Sequence, residues 1–457
     1  MERIRKVFER QRQASYEPLE GGSETLHGDP IEHREQHQPT FSWLTYAIFL
    51  LLGVAMLWAW NMFLAAAPYF QRRFSSSERL LQNFQSAELS VATVGNLGSM
   101  IILTKIQARA NYPKRIIASL TLNIVVFTLL ALSTRLFLSV SAGVYFAFLM
   151  LVVFAASLAT GLCQNGVFAY VSSFGREEYT QAIMTGQGIA GVLPCIAQIV
   201  SVLSVPEKTT NDNTPQESST AAFAYFLTAT AISFLALLAI FYLLSQERSR
   251  QRLQRTLSTA TASAEDNSED STPPPGERKP IPLTHLFRKL FFLATAVFLT
   301  FCVTMTFPVF TSQILSTHPP PTSRLFLPSS FIPLAFLFWN TGDLIGRVLP
   351  AIPALSLTAR PRIVFLLATS RVVFIPMYLL CNIKGKGAVV DSDAFYLLVV
   401  QVLFGVSNGF IGSTCMMGFV EWVEPEEREA AGGFMSLCLV AGLTVGSFLS
   451  FFAAGAL

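Results

Sequence analysis

Residues 43–66 read "WLTYAIFLLLGVAMLWAWNMFLAA", a run without a single charged side chain. A helix of this length crosses the roughly 30 Å hydrocarbon core of a bilayer. Similar runs recur along the 457 residues, of which 52% are hydrophobic and only 13% are charged. A soluble protein carries about a quarter charged residues. The sequence therefore predicts an all-α polytopic membrane protein.

We predict eleven membrane spans, each near the length that a bilayer requires. Lysine and arginine collect in alternate loops, and the positive-inside rule then places the N-terminus in the cytosol and the C-terminus on the lumenal or extracellular side. The predicted spans lie at roughly 43–66, 88–108, 115–138, 143–173, 179–204, 221–245, 287–315, 327–350, 362–382, 394–420 and 429–454.

Two polar stretches interrupt the apolar pattern. Residues 1–42 and 246–285 are predicted to be a disordered cytosolic tail and a disordered cytosolic linker, because their composition does not support a packed core. The linker separates an N-terminal bundle of six spans (43–245) from a C-terminal bundle of five (286–457). This division is typical of transporters whose two bundles rock around a central site, and a simple loop insertion is the alternative interpretation.

Composition argues against several other classes of protein. A net charge of +3 is too small to indicate binding of a nucleic acid polymer, and the six cysteines lie singly, without metal-ligand spacing. No nucleophile–base set and no phosphate-binding loop with a lysine is found in the sequence. We therefore expect neither an enzyme nor a resident cofactor or metal.

The stretch "FWNTGDLIGRVLP" (338–350) places an acid and a base inside an apolar run. A charge at the centre of a bilayer costs at least about 2.5–3.5 kcal/mol, so it persists where it faces a partner, a cavity or a substrate. Asn340, Asp343 and Arg347 fall on one face of a helix. Such a pair can simply lock two helices together. It can also hold a ligand with vicinal hydroxyls, since the carboxylate accepts hydrogen bonds and the guanidinium donates them.

Other polar groups lie at membrane depth in the first, fourth and tenth spans. Trp60 and Asn61 occur together in the first span, Gln164 in the fourth and Asn408 in the tenth. An indole can stack on a flat ring and an amide can pair with a heterocycle edge, although hydrogen bonds between helices explain the amides equally well. Phe307 precedes a proline in the seventh span, where a kink indicates a gate or a packing adjustment. Together these groups predict a neutral ligand with an aromatic part and hydroxyls.

The same stretches resemble the equilibrative nucleoside transporter family (solute carrier family 29 type) through nearly the whole membrane part, residues 43–455. "WNMFLAAAPYF" is similar to the first-span signature of the family, "YTQAIMTGQGIAGV" (179–192) to its fifth and "FWNTGDLIGR" to its eighth. "SNGF" and "EREAAGGFMSLCLVAGLTVGSFLSF" resemble its last two spans. Ala59 departs from the pattern, since the family usually has proline before Trp-Asn.

The resemblance implies a fold like that of the major facilitator superfamily and transport of nucleosides, and of nucleobases as a further expectation, by alternating access. It implies a monomer in the lipid bilayer and contacts of Asp343 and Arg347 with the ribose and of Gln164 with the nucleobase. The substrate-binding set that it implies is Leu57, Trp60, Leu64, Gln164, Asn340, Asp343 and Arg347, and the supporting or gating set is Asn61, Phe307 and Asn408.

Facilitated diffusion is the usual mechanism of the family, and some members couple to protons. We place Asp343 as the only carboxylate firmly inside a span, and its pairing with Arg347 favours uncoupled transport. Proton-coupled export from an acidic organelle is one alternative. A sugar or drug carrier, or a non-transporting receptor of the same fold, is another. Tyr16–Leu19 ("YEPL") has the form read by sorting adaptors and favours a vacuolar or lysosomal membrane over the plasma membrane.

Overall fold

The structure is a computed structural model, and it describes residues 41–107, 110–136, 138–204, 219–262, 281–318 and 323–456. The predicted sorting motif Tyr16–Leu19 lies outside the described residues. The same holds for residues 1–40 of the predicted tail and for residues 263–280 of the predicted linker.

The described residues of the first half of the chain are mainly α-helical. Ser42 caps the first helix, since its side chain accepts a hydrogen bond from the backbone N–H of Thr45 at 3.4 Å. The helices are α1 (Trp43–Ala65), α2 (Ala67–Phe74), α3 (Glu78–Lys105), α4 (Tyr112–Leu136), α5 (Ala142–Ser173), α6 (Glu177–Ser204) and α7 (Ser219–Ala262).

The second half is also helical, with more interruptions. A π-helical segment (Phe395–Val402) leads directly into α14, and short 3-10 turns (Arg324–Phe326, Leu349–Ala351, Arg371–Val373, Phe419–Trp422, Pro425–Glu427) flank the longer helices. These are α8 (Leu283–Lys289), α9 (Phe291–Thr304), α10 (Thr306–Thr311), α11 (Pro328–Val348), α12 (Pro361–Ser370), α13 (Phe374–Leu379), α14 (Leu403–Gly418) and α15 (Arg428–Ala456).

Proline explains two of the interruptions. The break between α9 and α10 falls at Met305, just before Pro308, as the sequence predicts, because proline offers no N–H for the preceding turn. In the first span the helix runs unbroken through Ala59 and ends at Ala65, shortly before Pro68. The first helix is therefore not broken at Ala59, the residue before Trp60. Its first break comes later, at Ala66, near the end of the span.

Ten helices within the described ranges are long and apolar enough to cross a membrane. Helix α11 is not among them, although its 21 residues extend over about 30 Å, since polar side chains lower its hydropathy. The protein is thus an all-α polytopic membrane protein, and the count of eleven spans stays a prediction.

Two boundaries differ from the sequence prediction. Helix α3 begins at Glu78 rather than near residue 88, so that Glu88 lies inside the helix with an exposed fraction of 7%. The prediction that Asp343 is the only carboxylate inside a span is therefore wrong. Helix α7 continues to Ala262 instead of ending near residue 245. Residues 246–262, assigned to a disordered linker, are helical because glutamine, arginine, glutamate and leucine favour helix.

The helices pack in two sets along the chain. In the first half α1 packs against α6 and α7, α4 against α5 and α7, and α3 against α5; in the second half α11 packs against α14, and α9 against α12 and α15. Helices α6 and α11 join the two sets, as do α5 and α15. The site residues of α11 therefore lie between α14 on one side and α6 on the other.

Glycines bring α11 and α14 into backbone contact. A Cβ on Gly342 or Gly346 would collide with the backbone of residues 402–410, and a Cβ on Gly405 or Gly409 would collide with the backbone of residues 339–347. Small residues on both faces permit this close approach. The backbone that carries Asp343 is thus pressed against α14.

Candidate functional site

Asp343 and Arg347 form an ion pair in the interior of the protein. Nε of Arg347 donates to Oδ2 of Asp343 at 2.7 Å, and each residue is 4% exposed. The spacing of four residues on one helix makes this contact possible. Oδ1 of Asp343 accepts a second hydrogen bond, from Nδ2 of Asn408 on α14 at 2.7 Å. The carboxylate is therefore held from two directions.

The guanidinium of Arg347 reaches α6. Its Nη1 donates to Oε1 of Gln187 at 2.8 Å and to the backbone carbonyl of Met184 at 3.2 Å. Gln187 is itself buried, and its Nε2 contacts Sδ of Met56 on α1 at 2.9 Å. Nη2 of Arg347 forms no hydrogen bond with the residues that the structure describes. Nη2 of Arg347 is therefore available to donate to a ligand.

A third charged residue, Arg371, extends this polar cluster and was not singled out from the sequence. It lies in the 3-10 turn after α12 and is 1% exposed. Its Nη2 donates to the hydroxyl of Thr304 at 3.0 Å, and that hydroxyl donates to Oδ1 of Asn408 at 2.6 Å. Nη1 donates to the carbonyl of Thr300, and Nε donates to Ser407 at 3.0 Å. Arg371 is thereby connected to Asp343 through two intervening side chains.

The signal for Arg371 was present in the sequence. "LLATSRVVFIP" (366–376) places one arginine within an apolar run, the same anomaly that drew attention to Asp343 and Arg347. An intramembrane arginine requires partners for its donors. No acidic residue stands nearby along the chain, and the neutral partners on α9 and α14 become visible only in three dimensions.

A cavity of about 170 Å³ lies beside the polar cluster, between α1, α3, α5 and α15. Leu57 and Trp60 of α1 form part of its wall, together with Gln164 of α5. Oε1 of Gln164 is buried without a hydrogen-bond partner, and so is Oδ1 of Asn96 on α3. A buried unpaired acceptor costs roughly 1–3 kcal/mol. The cavity therefore combines an indole, an aliphatic wall and two acceptors that lack donors.

The structure brings three of the seven predicted substrate-binding residues together at this cavity, namely Leu57, Trp60 and Gln164. Leu64 is 55% exposed and lies outside the cavity wall, because it is almost two full turns along α1 from Leu57. Asn340 is half-buried, and its Nδ2 donates to the carbonyl of Phe336 at 2.9 Å. Its contacts are with α6 and its own helix.

The supporting residues also have defined partners. Nδ2 of Asn61 donates to the carbonyl of Ala190 at 2.7 Å and so joins α1 to α6. Phe307 stacks on Trp339 with ring centroids 4.1 Å apart. It is buried, and it does not line the cavity. Asn408 orients Asp343, as described above. In this structure these three side chains contribute packing and hydrogen bonds between helices.

The Asp343–Arg347 ion pair lies apart from the cavity in this structure. Both side chains are buried, and neither lines the cavity. A buried pair is tolerated when its remaining polar atoms find partners, and Gln187 and Asn408 supply them. Met56 contacts Gln187 and also lines the cavity. A single glutamine thus separates the ion pair from the cavity wall.

The helical architecture and an internal polar site between helices define a polytopic helical membrane protein with a polar core. The fold resembles that of the major facilitator superfamily transporter FucP in its outward conformation, with a TM-score of 0.56 at 14% identity, covering 90% of this chain and 92% of FucP. Residues 148–454, more than half of the chain, match the family described as nucleoside transporter. The protein belongs to the nucleoside transporter family.

Similar proteins extend over almost the whole chain. Nucleoside transporter FUN26 of Saccharomyces cerevisiae is 29% identical over 483 residues, covering 97% of this chain and 88% of that protein. Equilibrative nucleoside transporter 1 of Homo sapiens is 27% identical, covering 92% of this chain and 98% of its own length. Equilibrative nucleoside transporter 3 of Rattus norvegicus is 26% identical, with coverage of 94% and 93%.

Proposed function

We propose that this protein moves nucleosides across a membrane by alternating access, with the substrate passing down its own gradient. One observation carries the site assignment: a buried ion pair with a free guanidinium Nη2 lies one glutamine away from a cavity lined by an indole and unpaired amide oxygens. A nucleoside has both a flat heterocycle and a sugar diol. The two parts of the site match these two chemistries.

The cavity is the proposed site of the nucleobase. Trp60 and Leu57 offer flat and aliphatic surfaces, and aromatic rings stack favourably on an indole. Oε1 of Gln164 and Oδ1 of Asn96 are acceptors without donors, and the amino or ring N–H groups of a base are donors. Such a bond relieves the cost of a buried unpaired oxygen. The base therefore gains binding energy from groups that the protein leaves unsatisfied.

The ion pair is the proposed site of the ribose. Nη2 of Arg347 is free to donate, and each oxygen of Asp343 has further capacity to accept. Ribose hydroxyls can do both. The cavity of about 170 Å³ is smaller than the roughly 300–1,000 Å³ of typical ligand pockets. Binding therefore requires Gln187 and Met56 to move aside, which joins the cavity to the pair.

Uptake of radiolabelled uridine and adenosine into proteoliposomes tests this proposal. We expect Asp343→Ala and Arg347→Ala each to lower uptake by about 100-fold, since each removes charge-assisted hydrogen bonds worth roughly 1.5–3 kcal/mol. Asp393→Asn is the matched control, because Asp393 is also buried but contacts Ser316 and Thr317 in a loop. Wild-type uptake by folded Asp343→Ala and Arg347→Ala protein rejects the assignment.

A proton-coupled mechanism is the second candidate, and Glu88 favours it. This carboxyl is 7% exposed and forms no ion pair or hydrogen bond with the described residues. An ionised carboxylate in such surroundings costs several kcal/mol, so binding a proton there relieves a penalty. We expect a pH gradient to change wild-type uptake less than about twofold under the uncoupled mechanism. Stimulation by acid that Glu88→Gln abolishes would establish coupling instead.

Substrate competition separates nucleoside transport from a sugar or drug carrier. Unlabelled nucleoside should abolish labelled uptake, and free adenine or uracil should compete weakly, because a base alone lacks the diol that Asp343 and Arg347 hold. A receptor of the same fold would bind nucleoside without accumulating it inside sealed vesicles. Equal competition by base and nucleoside would extend the substrate range to nucleobases.

The cellular arrangement is part of the same proposal. We place the N-terminus in the cytosol from the distribution of lysine and arginine, and the protein in a vacuolar or lysosomal membrane as a monomer. Two bundles, 43–245 and 286–457, would move against each other about the contact of α6 with α11. Tyr16→Ala should redirect the protein to the cell surface if a sorting adaptor reads Tyr16–Leu19.

A further inference from the structure

A second cavity, of about 520 Å³, lies among second-half residues. It shares no lining residue with the cavity that contains Trp60 and Gln164. It is formed where α9 and α12 begin and where the 3-10 turn Phe419–Trp422 follows α14. Four basic residues line it: Arg288, Lys289, Arg360 and Arg362. No acidic residue of the described chain is among its lining residues. The cavity is therefore strongly cationic.

Three of the four positive charges are uncompensated. The side chains of Arg288, Arg360 and Arg362 form no hydrogen bond or ion pair with the residues that the structure describes, apart from a contact of Arg362 with the ring of Phe292 at 5.7 Å. Lys289 differs, since its Nζ donates to Glu427 at 2.7 Å and to Glu424 at 3.3 Å. The bond to Glu427, with that to Glu424, raises the pKa of Lys289. The two carboxylates offset the positive charge of the lysine, so that it adds little to the attraction of the cavity for anions.

Backbone geometry adds to the attraction for anions. Helix α9 begins at Phe291 and helix α12 at Pro361, and both of these first turns line the cavity. The N-terminus of a helix carries a partial positive charge. Two such ends line the cavity together with the guanidinium groups of Arg288, Arg360 and Arg362. A phosphate group matches this arrangement in charge and in hydrogen-bonding capacity, since guanidinium binds phosphate through paired donors.

The rim of the cavity is apolar and faces outward. Phe291, Ile363 and Trp422 are 43%, 41% and 43% exposed. The indole N–H of Trp422 donates to the carbonyl of Thr358 at 3.2 Å, which fixes the ring at the cavity wall. Tryptophan and phenylalanine at the start of membrane helices are typical of the membrane–water interface. A soluble phosphate would leave this surface unused, whereas an acyl chain would cover it.

We propose that this cavity binds the headgroup of an anionic phospholipid, with the phosphate held by Arg288, Arg360 and Arg362 and the acyl chains lying along Phe291 and Trp422. By the predicted orientation this end faces the cytosol, the side on which anionic lipids are enriched. Basic pockets between membrane helices on this side bind such headgroups in general. The site is separate from the nucleoside site and does not depend on the proposed function.

Lipid retention measured by native mass spectrometry tests the site. Wild-type protein is reconstituted with phosphatidylcholine and phosphatidylinositol 4-phosphate, then extracted in about 0.3 M salt, where surface attraction is screened beyond roughly 6 Å. The matched variants are the triple Arg288→Gln, Arg360→Gln, Arg362→Gln and the triple Arg248→Gln, Arg250→Gln, Arg252→Gln, which removes equal charge from the exposed end of α7. Thermal unfolding in detergent reports whether each protein is folded.

We expect the wild type to retain the phosphoinositide and the cavity triple variant to lose it by about 100-fold, at roughly fivefold for each basic residue. The α7 triple variant should lose less than about threefold. Equal loss in both triple variants would overturn the proposal in favour of general surface charge. Displacement of the lipid by millimolar inorganic phosphate would overturn it in favour of a soluble anion.

A cavity triple variant that fails to fold does not end the test. In that case a photoreactive phosphatidylinositol 4-phosphate analogue is crosslinked to the wild-type protein, and single variants at Arg288, Arg360 and Arg362 are compared. Crosslinked peptides from residues 288–293 and 359–363 support the site. Crosslinks confined to other segments refute it.

Discussion

Nη1 of Arg347 and Oε1 of Gln187 lie 2.8 Å apart, and this bond connects the second half of the chain to the first. Arg347 belongs to α11 and Gln187 to α6, one of the helix pairs that join the two sets. The same glutamine also contacts Met56 at the cavity wall. Gln187 therefore occupies the place where the proposed ribose and base sites must meet.

Gln187→Met should lower nucleoside uptake by about tenfold or more, because a buried hydrogen bond to a charged group contributes roughly 1.5–3 kcal/mol. The change keeps the side-chain volume but removes the acceptor for Arg347. Gln181→Met is the control, since Gln181 lies on the same helix and bonds Tyr46 and Thr185 instead. Initial uptake rates and KM check the prediction. Unchanged kinetics in Gln187→Met would show that the glutamine plays no part.

Gly409→Ala should abolish transport and destabilise the protein by about 1–3 kcal/mol, because the new methyl group would press on the backbone at Asp343 and Arg347. Gly98→Ala and Gly143→Ala are controls on other helices, where nothing lies within 4 Å of the added carbon. Those two variants should be neutral or slightly more stable, since alanine favours helix over glycine. Thermal unfolding in detergent and uptake measure both effects. A fully active Gly409→Ala protein would contradict the close contact.

Thr304→Val should weaken the hold on Asp343, because it breaks the hydroxyl bridge between Arg371 and Asn408. We expect a loss of about 1–3 kcal/mol in stability and a rise in the KM for nucleosides. Thr306→Val is the control, since that hydroxyl, at the start of α10, bonds only the nearby carbonyl of Val303 at the end of α9. Arg371→Lys should be at least as damaging, because the three donors of lysine sit on one nitrogen and cannot reach the three separated acceptors that Nε, Nη1 and Nη2 of Arg371 reach. Equal KM values for the two threonine variants would exclude the bridge.

Leu57→Trp and Leu64→Trp separate the cavity from the rest of the first span. Leu57 lines the cavity, whereas Leu64 is 55% exposed. The larger ring at position 57 should raise KM by about tenfold or more, because it fills space that the base requires, and the same ring at position 64 should change KM little. Competition assays with a series of nucleosides measure both. A large effect at Leu64 alone would move the base site along α1.

Sequence patterns predicted most of the fold because bilayer thickness sets helix length. The membrane spans follow from local composition, and so does the helix break at Met305, which precedes Pro308. The helical extension of α7 and the early start of α3 were not predicted, because hydropathy marks only the apolar part of a helix. For the same reason Glu88 was not predicted to be a carboxylate inside a span.

Individual site residues were predicted better than their contacts in three dimensions. Asp343 and Arg347 stand out as charges among apolar residues, and their pairing follows from helical spacing. Gln187 and Thr304 are ordinary polar residues in the sequence, and their positions depend on how α6 and α9 approach α11. Leu64 was predicted to bind substrate but is exposed and lies outside the cavity wall. Its neighbours along α1 do not reveal that exposure.

The glycine contact between α11 and α14 has a further consequence for conformational exchange. Main chain touches main chain there, so the two helices cannot slide past one another without opening a void, and Asp343, Arg347 and Asn408 keep a constant mutual geometry. Helix α6 reaches the same ion pair through the side chain of Gln187 and the backbone carbonyl of Met184. During alternating access α11 and α14 would therefore travel as one rigid body, and the Asp343–Arg347 ion pair would travel with them.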